Sequence, residues 1–114
     1  MHPQTEQSLR DVVDACREIE EYVSGVSLRS YHQNRRLQLT VERLIIIVGE
    51  ALGRAERQEP AIVEALPHLR NILSMRHRIV HDYDAINQII VWTAATPHSS
   101  VLRVHVESIL STRG

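Results

Sequence analysis

The feature that most limits the fold is an apolar repeat at three- and four-residue steps near the amino terminus. The repeat comprises Leu9, Val12, Val13, Cys16, Ile19 and Val23. Such spacing places these side chains on one face of an amphipathic helix, and Gly25 is placed to end that helix. Because the chain contains only four Gly, four Pro and no Phe, the pattern favours helices packed through aliphatic side chains over a turn-rich β fold.

A second long helix is predicted over residues 34–57, after a polar connection at residues 24–34 that has room for one helical turn. Its centre, residues 44–48, is apolar on all sides, and such a helix needs neighbours on all sides. Four or five short helices cannot easily surround one member completely. Part of this helix is therefore expected to lie in a subunit interface, and a central helix covered within one chain is the alternative.

The helices that follow are predicted from proline and cap positions. Pro60 interrupts the second helix, and residues 61–65 form a short turn. Pro67 suits the first turn of a third helix. Asn87 is the predicted N-cap of a fourth helix that reaches Thr96.

A last helix is predicted to end near Thr112, after a turn at residues 97–100. The complete pattern predicts an all-α fold, an antiparallel bundle of four to five helices that forms a homodimer. Residues 1–114 suit a single domain, because a chain of this length leaves no room for a second one.

Charge and composition exclude several classes of protein. The net charge of −1 with His neutral excludes a broadly basic nucleic-acid binder, so any RNA contact must come from a local patch. The only cysteine, Cys16, fits a reducing cytosol, and its place in the apolar repeat indicates core packing. No signal peptide is recognised, and the longest apolar run, residues 44–49, is too short to span a bilayer. A cytoplasmic protein without membrane contact is expected.

The chemistry is concentrated in residues 75–84, which contain the pattern R-x4-H-x-Y at Arg76, His81 and Tyr83. An arginine offers a permanent planar cation that fits a phosphate. A histidine transfers protons near neutral pH. Together they can break a phosphodiester with no metal and no cofactor.

This segment resembles the signature of the HEPN superfamily, and in particular that of the HepT-like toxins. Arg76, His77, His81 and Tyr83 fit the positions of that motif. Residues 41–51 are similar to the family's buried helix ending in I-G-E-A. Residues 88–92 are similar to the helix that follows the motif.

The resemblance implies an RNA-cleaving toxin that dimerises, with the two motifs facing one cleft. It also implies a partner, a minimal nucleotidyltransferase antitoxin that adenylylates Tyr83. The other role open to Tyr83 is an RNA contact, either a hydrogen bond to phosphate or stacking on a base. Five residues of a straight helix turn about 500°, so Arg76 and His81 point about 140° apart. The helix therefore ends or distorts near His81, or a second subunit completes the site.

Several neighbours are expected to support this chemistry. His77 is a candidate to steady Arg76 or to touch phosphate, and Arg78 adds positive potential. Glu42 and Glu50 match acidic positions of the family's second helix and are expected to have structural or interface roles, with an arginine as the partner.

Three other interpretations compete with a nuclease. His77, His81 and Asp84 have the i, i+4, i+7 spacing of a zinc site on one helical face. A second interpretation is a non-catalytic nucleotide-binding or docking subunit of a nucleotidyltransferase, in which Arg76 and His81 hold a nucleotide phosphate. The third is a purely structural helical dimer.

Overall fold

Four long helices dominate the computed structural model, which describes residues 1–82 and 84–113 of the chain. In chain order the α-helices are α1 (Pro3–Val23), α2 (Leu28–His32), α3 (Arg35–Gln58), α4 (Pro60–Val63), α5 (Leu69–His81), α6 (Gln88–Thr93) and α7 (Ser99–Arg113). The described residues contain no strand. The predicted all-α bundle is confirmed.

The predicted helix ends are confirmed where a local side chain or glycine sets them. The side chain of Asn34 accepts a hydrogen bond from the backbone N–H of Leu37 at 3.0 Å and caps α3. The side chain of Asn87 caps α6 in the same way, through the N–H of Ile89 at 2.9 Å. Gly25 follows α1 with a φ of 72°, a left-handed conformation that suits glycine.

The predicted start of α5 at Pro67 is wrong by two residues. His68 has a φ of 63°, which no residue inside a right-handed helix can adopt. The helix therefore begins at Leu69.

The predicted turn at residues 97–100 is also wrong. A π-helical turn at Ala94–His98 joins α6 directly to α7, and the backbone N–H of Ser99 donates to the carbonyl of Ala94, five residues earlier. Pro97 has no N–H to offer and would break a regular α-helix. The wider turn accommodates it, so the chain remains helical from α6 into α7.

The core lies where α1 packs against α3 and α7, and where α3 packs against α5. The apolar repeat on α1 faces this core, and four of its residues are fully buried: Leu9, Val12, Cys16 and Ile19. Burial raises the pKa of the Cys16 thiol to about 12, which keeps it protonated and unreactive. The packing role expected of Cys16 is confirmed.

The apolar centre of α3 is covered largely by the chain's own helices. Leu44, Ile45 and Val48 are buried, and Ile46 and Ile47 are half-buried against the core. The burial of this segment therefore does not by itself require a second subunit, and the alternative of a helix covered within one chain accounts for it.

The apolar side chains that remain exposed are spread over several helices. Tyr22 on α1, Leu39 on α3, Ile89 on α6 and Val104 on α7 are each more than half exposed. Scattered exposure of this kind is normal for a folded domain. Within residues 1–82 and 84–113, no helix combines the length and apolar character needed to cross a bilayer.

Candidate active site

Helix α5 carries most of the predicted site residues and stays regular as far as His81. Asp82 caps it, and its backbone N–H donates to the carbonyl of Arg78 at 2.7 Å. Arg76 and His81 therefore both lie within the helix, and the expected angle of about 140° between them applies. The end of the helix at His81 does not bring the two side chains to one face.

Arg76 is placed by a close contact between α5 and α3. A Cβ atom added at Gly49 would lie 2.6 Å from the Cβ of Arg76 and 2.8 Å from its Cγ. Real side chains cannot approach that closely, so only glycine lets the aliphatic stem of Arg76 rest on the α3 backbone. The glycine of the I-G-E-A segment thus sets the position of the arginine.

The guanidinium of Arg76 has few partners. Its Nη2 lies 3.8 Å from Oε1 of Glu50, and the two side chains are 35% and 43% exposed. Its Nε is buried without a hydrogen-bond partner among the described residues. An exposed ion pair contributes at most about 1 kcal/mol, whereas an unpaired buried donor costs about 1–3 kcal/mol. These contacts add little to the stability of the fold. Stability therefore does not explain why the guanidinium is held in this position.

Two imidazoles lie side by side at the end of α5. The ring centroids of His77 and His81 are 4.3 Å apart, with the rings tilted by 44°, and both residues are exposed. Residues four apart share a helical face, which explains the contact. The pair is open to solvent and accessible to a substrate.

Arg78 lies apart from Arg76, in a cavity of about 350 Å³ between α5 and the start of α6. Asp82 and Asp84 line the same cavity and are exposed. Their negative charges offset the positive potential expected from Arg78. Asp82 is therefore a solvated carboxylate.

Two of the sequence-based interpretations involve the segment after α5. The predicted adenylylation falls on Tyr83, which lies outside the described residues. The zinc alternative needs the helix to continue to Asp84, but α5 ends at His81. Among the described residues, no three His, Cys, Asp or Glu side chains are grouped as metal ligands.

A partly buried polar network links α6 to α2 and α3. Glu42 accepts hydrogen bonds from Gln88 at 2.7 Å and from Arg35 at 3.4 Å. The hydroxyl of Tyr31 donates to the other end of the Gln88 amide at 2.8 Å, and burial raises the pKa of Tyr31. The arginine partners expected for Glu42 and Glu50 are confirmed.

Sequence reasoning missed a cavity of about 300 Å³ on the α3 side of Arg76. Its lining residues are Gly49, Glu50, Gly53, Arg54, Arg57 and Arg76. None of them is a histidine, so the chain does not bring His81 into the cavity that Arg76 borders. Two glycines four residues apart in one helix, with arginines following, were the signal that could have indicated it.

Curated relatives align along most of the chain. It is 21% identical over 104 residues to "Putative RNase MJ1216" of Methanocaldococcus jannaschii, covering 90% of this chain and 84% of the relative. It is 24% identical over 102 residues to "Putative RNase TTE0752" of Caldanaerobacter subterraneus subsp. tengcongensis, covering 90% of each. No solved structure shows significant similarity.

The family assignment rests on a match to a family model. The family model described as Ribonuclease HepT-like matches residues 12–109, a span that runs from α1 to α7 and includes the Gly49 contact and the α5 motif. The chain belongs to the HepT-like ribonuclease family.

Proposed function

We propose that this protein is a metal-independent endoribonuclease and the toxin of a bacterial toxin–antitoxin pair. The single observation that carries the proposal is Arg76, which is held over Gly49 with an unpaired buried donor among the described residues. A guanidinium kept in place at a cost to stability suits a group that binds a ligand. The relatives named as RNases give the ligand class.

The proposed reaction is attack of a ribose 2′-oxygen on the adjacent phosphorus. His81 of one copy removes the 2′-hydroxyl proton while the bond from the 2′-oxygen to phosphorus forms. The bond from phosphorus to the 5′-oxygen breaks, and His81 of the second copy, or a water molecule, protonates that oxygen. Arg76 stabilises the added negative charge with paired N–H donors. The products end in a 2′,3′-cyclic phosphate and a 5′-hydroxyl.

The proposed site needs two copies of the chain because Arg76 and His81 lie apart within one copy. Arg76 borders a cavity on the α3 side of α5 that contains no histidine, whereas His81 is exposed at the end of the helix. A two-fold axis beside α5 would place Arg76 of one subunit near His81 of the other. It would also supply both an acid and a base.

His77 and Arg78 have supporting roles in this proposal. His77 contacts His81 and so helps to orient that ring or to bind a neighbouring phosphate oxygen. Arg78 approaches RNA from the other side of α5, and the nearby Asp82 and Asp84 limit its contribution.

Regulation is proposed to act at Tyr83. The antitoxin nucleotidyltransferase would join the phenol oxygen to the α-phosphate of ATP and release pyrophosphate, with loss of the phenol proton. The added nucleotide brings bulk and negative charge into the motif, where it competes with RNA for the cationic groups. Intact mass after incubation with the antitoxin and ATP tests this step, and Tyr83→Phe should gain no mass.

The cleavage reaction is tested with purified protein, RNA and a metal chelator. His81→Ala should lower the rate by about 10²–10⁴-fold, the usual contribution of a positioned acid or base. His105→Ala is the matched control, since His105 is an exposed histidine on α7 and its loss should leave the rate unchanged. The same sequence in DNA should stay intact, because it lacks the attacking hydroxyl.

The end groups of the products decide between mechanisms. Cyclic phosphate ends support 2′-hydroxyl attack, and 5′-phosphate ends would contradict it. Binding of nucleotide without any cleavage would instead favour the docking-subunit interpretation.

A further inference from the structure

We propose that the cavity between α3 and α5 binds a second phosphate of the RNA, one that is not cleaved. This inference rests on the proposed function and names how its substrate is held. The cavity residues Arg54, Arg57 and Arg76 form the candidate subsite, here called the arginine cavity, with Gly49 and Gly53 as its floor.

The arginine cavity concentrates positive charge in a chain whose net charge is −1. Three guanidiniums and one carboxylate, that of Glu50, line it. Several phosphate-binding sites rely on arginine because its planar fork matches phosphate oxygens. A local cluster of this kind is what an acidic RNA-binding protein requires.

The ion pairs around the arginine cavity leave much of this charge available. Arg54 contacts Asp11 at 3.2 Å and is 42% exposed. Within the described part of the chain, Arg76 has only the 3.8 Å contact with Glu50. Arg57 is exposed and forms no ion pair within residues 1–82 and 84–113. An anion would therefore find donors that the fold itself does not use.

The floor of the arginine cavity gives an anion room to approach the helix. A Cβ at Gly53 would contact only Nη1 of Arg57, at 3.4 Å, so the absence of a side chain keeps the space open while the arginine lies across it. At about 300 Å³, the cavity is several times the volume of a water molecule, which occupies about 30 Å³. A phosphate with part of its ribose fits this volume.

The lining indicates which part of RNA is recognised. Among the described residues, the lining contains no aromatic side chain on which a base could stack, and stacking is the usual way to hold unpaired bases. Arginines that contact phosphate fix the position of a strand and carry no sequence information. The arginine cavity would therefore position RNA independently of sequence, with Arg76 at the boundary between this subsite and the cleaved phosphate.

The experiment measures RNA binding and cleavage for Arg57→Gln against Arg36→Gln. Arg36 is a suitable control because it is exposed at the first turn of α3, about 30 Å from Arg57 along the helix. Arg57→Gln should weaken binding about tenfold, act mainly on KM rather than on kcat, and reduce the slope of log affinity against log salt by about 0.7. Equal affinities and equal salt slopes for the two variants would overturn the subsite.

A second pair of variants separates charge from shape. Gly53→Gln and Gly53→Glu place side chains of the same size in the arginine cavity, and the space at Gly53 accepts a Cβ. Replacing glycine within a helix also removes an intrinsic penalty, so both variants should fold. Gly53→Glu should bind RNA at least about tenfold more weakly than Gly53→Gln, and equal affinities would again contradict the proposal.

Uncleavable RNA distinguishes this inference from the proposed reaction. Fully 2′-O-methylated RNA lacks the attacking hydroxyl but keeps every phosphate. If the protein binds this RNA through Arg57 yet cleaves no natural RNA, the subsite stands and the nuclease proposal fails. If natural RNA is cleaved while Arg57→Gln and Arg36→Gln bind alike, the nuclease stands and the subsite fails.

Discussion

Arg103 on α7 and Arg76 on α5 both lie at helix contacts, but their surroundings differ. Arg103 donates to both carboxylate oxygens of Glu20, at 2.7 and 3.0 Å, and to Glu107 at 2.9 Å. Arg76 has one carboxylate at 3.8 Å and a buried Nε without a partner among the described residues.

The difference separates two uses of arginine in one small fold. The α1–α7 contact satisfies the donors of Arg103 within the chain, so folding alone explains its geometry. The α3–α5 contact holds the aliphatic stem of Arg76 at Gly49 but leaves its guanidinium with few partners among the described residues. Substitutions at the first site should affect stability, and substitutions at the second should affect activity.

The largest expected effect is the loss of cleavage in Arg76→Gln. Removing one donor to a developing charge costs about 10²–10³-fold in kcat. The free energy of unfolding should change little, because Arg76 makes only one weak ion pair with the residues that the structure describes. Single-turnover cleavage measures the rate. Arg103→Gln is the control, and comparable rate losses in the two variants would remove the distinction between the two regions.

Gly49→Ala should lower both the stability of the fold and the cleavage activity. The added Cβ would lie 2.6 Å from the Cβ of Arg76, so α3 and α5 must move apart. Overpacking of this kind costs about 1–3 kcal/mol of unfolding free energy, and the displaced Arg76 should lower kcat. Thermal unfolding and cleavage of the same preparation test this expectation, and an unchanged melting temperature would contradict the close contact.

Arg103→Gln should show the reverse of Arg76→Gln. Losing the contacts with Glu20 and Glu107 should lower the free energy of unfolding by about 1 kcal/mol, since these pairs are partly exposed. Arg103 also lowers the pKa of Glu107, so that contribution is present above the ordinary Glu pKa of 4.5 and is lost as acid protonates the carboxylate. Urea denaturation at neutral and acidic pH measures both effects.

The smallest effect concerns a second pair of histidines. His68 and His98 stack with centroids 3.9 Å apart, and burial, followed by the charge of His68, lowers the pKa of His98 from 6.5. The unfolded state then binds protons more readily, so stability is complete above pH 6.5 and declines as the pH falls below it. His98→Asn should reduce this decline in urea denaturation, and an unaltered pH dependence would show that His98 does not cause it.

The sequence predicted those parts of the fold that depend on neighbouring residues. The caps at Asn34 and Asn87 and the end of α1 at Gly25 are local, because each depends on a side chain or a φ angle within a few residues. The left-handed His68 and the π-helical turn around Pro97 were not predicted. A left-handed φ is uncommon for a residue other than glycine, and a proline usually ends a helix, so the residue types alone favoured the wrong expectation at both places.

The same distinction applies to the site. The motif on α5 was recognisable because its residues lie close together in the sequence. The arginine cavity needs Arg57 of α3 and Arg76 of α5, and their meeting depends on the crossing at Gly49. Only the packed structure reveals that Arg76 faces this cavity while His81 does not.

The separation of Arg76 from His81 within one chain makes the shared site the central claim, and mixing two inactive variants tests it most directly. Dimers of Arg76→Ala would lack both guanidiniums, and dimers of His81→Ala would lack both imidazoles. A mixture that exchanges subunits would contain dimers with one intact group from each chain. We expect RNA cleavage in the mixture to rise about tenfold or more above either variant alone, because the one intact His81 acts as the base beside Arg76 of the other chain while water protonates the leaving 5′-oxygen. Cleavage that stays at the level of the separate variants, after mass spectrometry has confirmed mixed dimers, would contradict a site that joins Arg76 of one copy to His81 of the other.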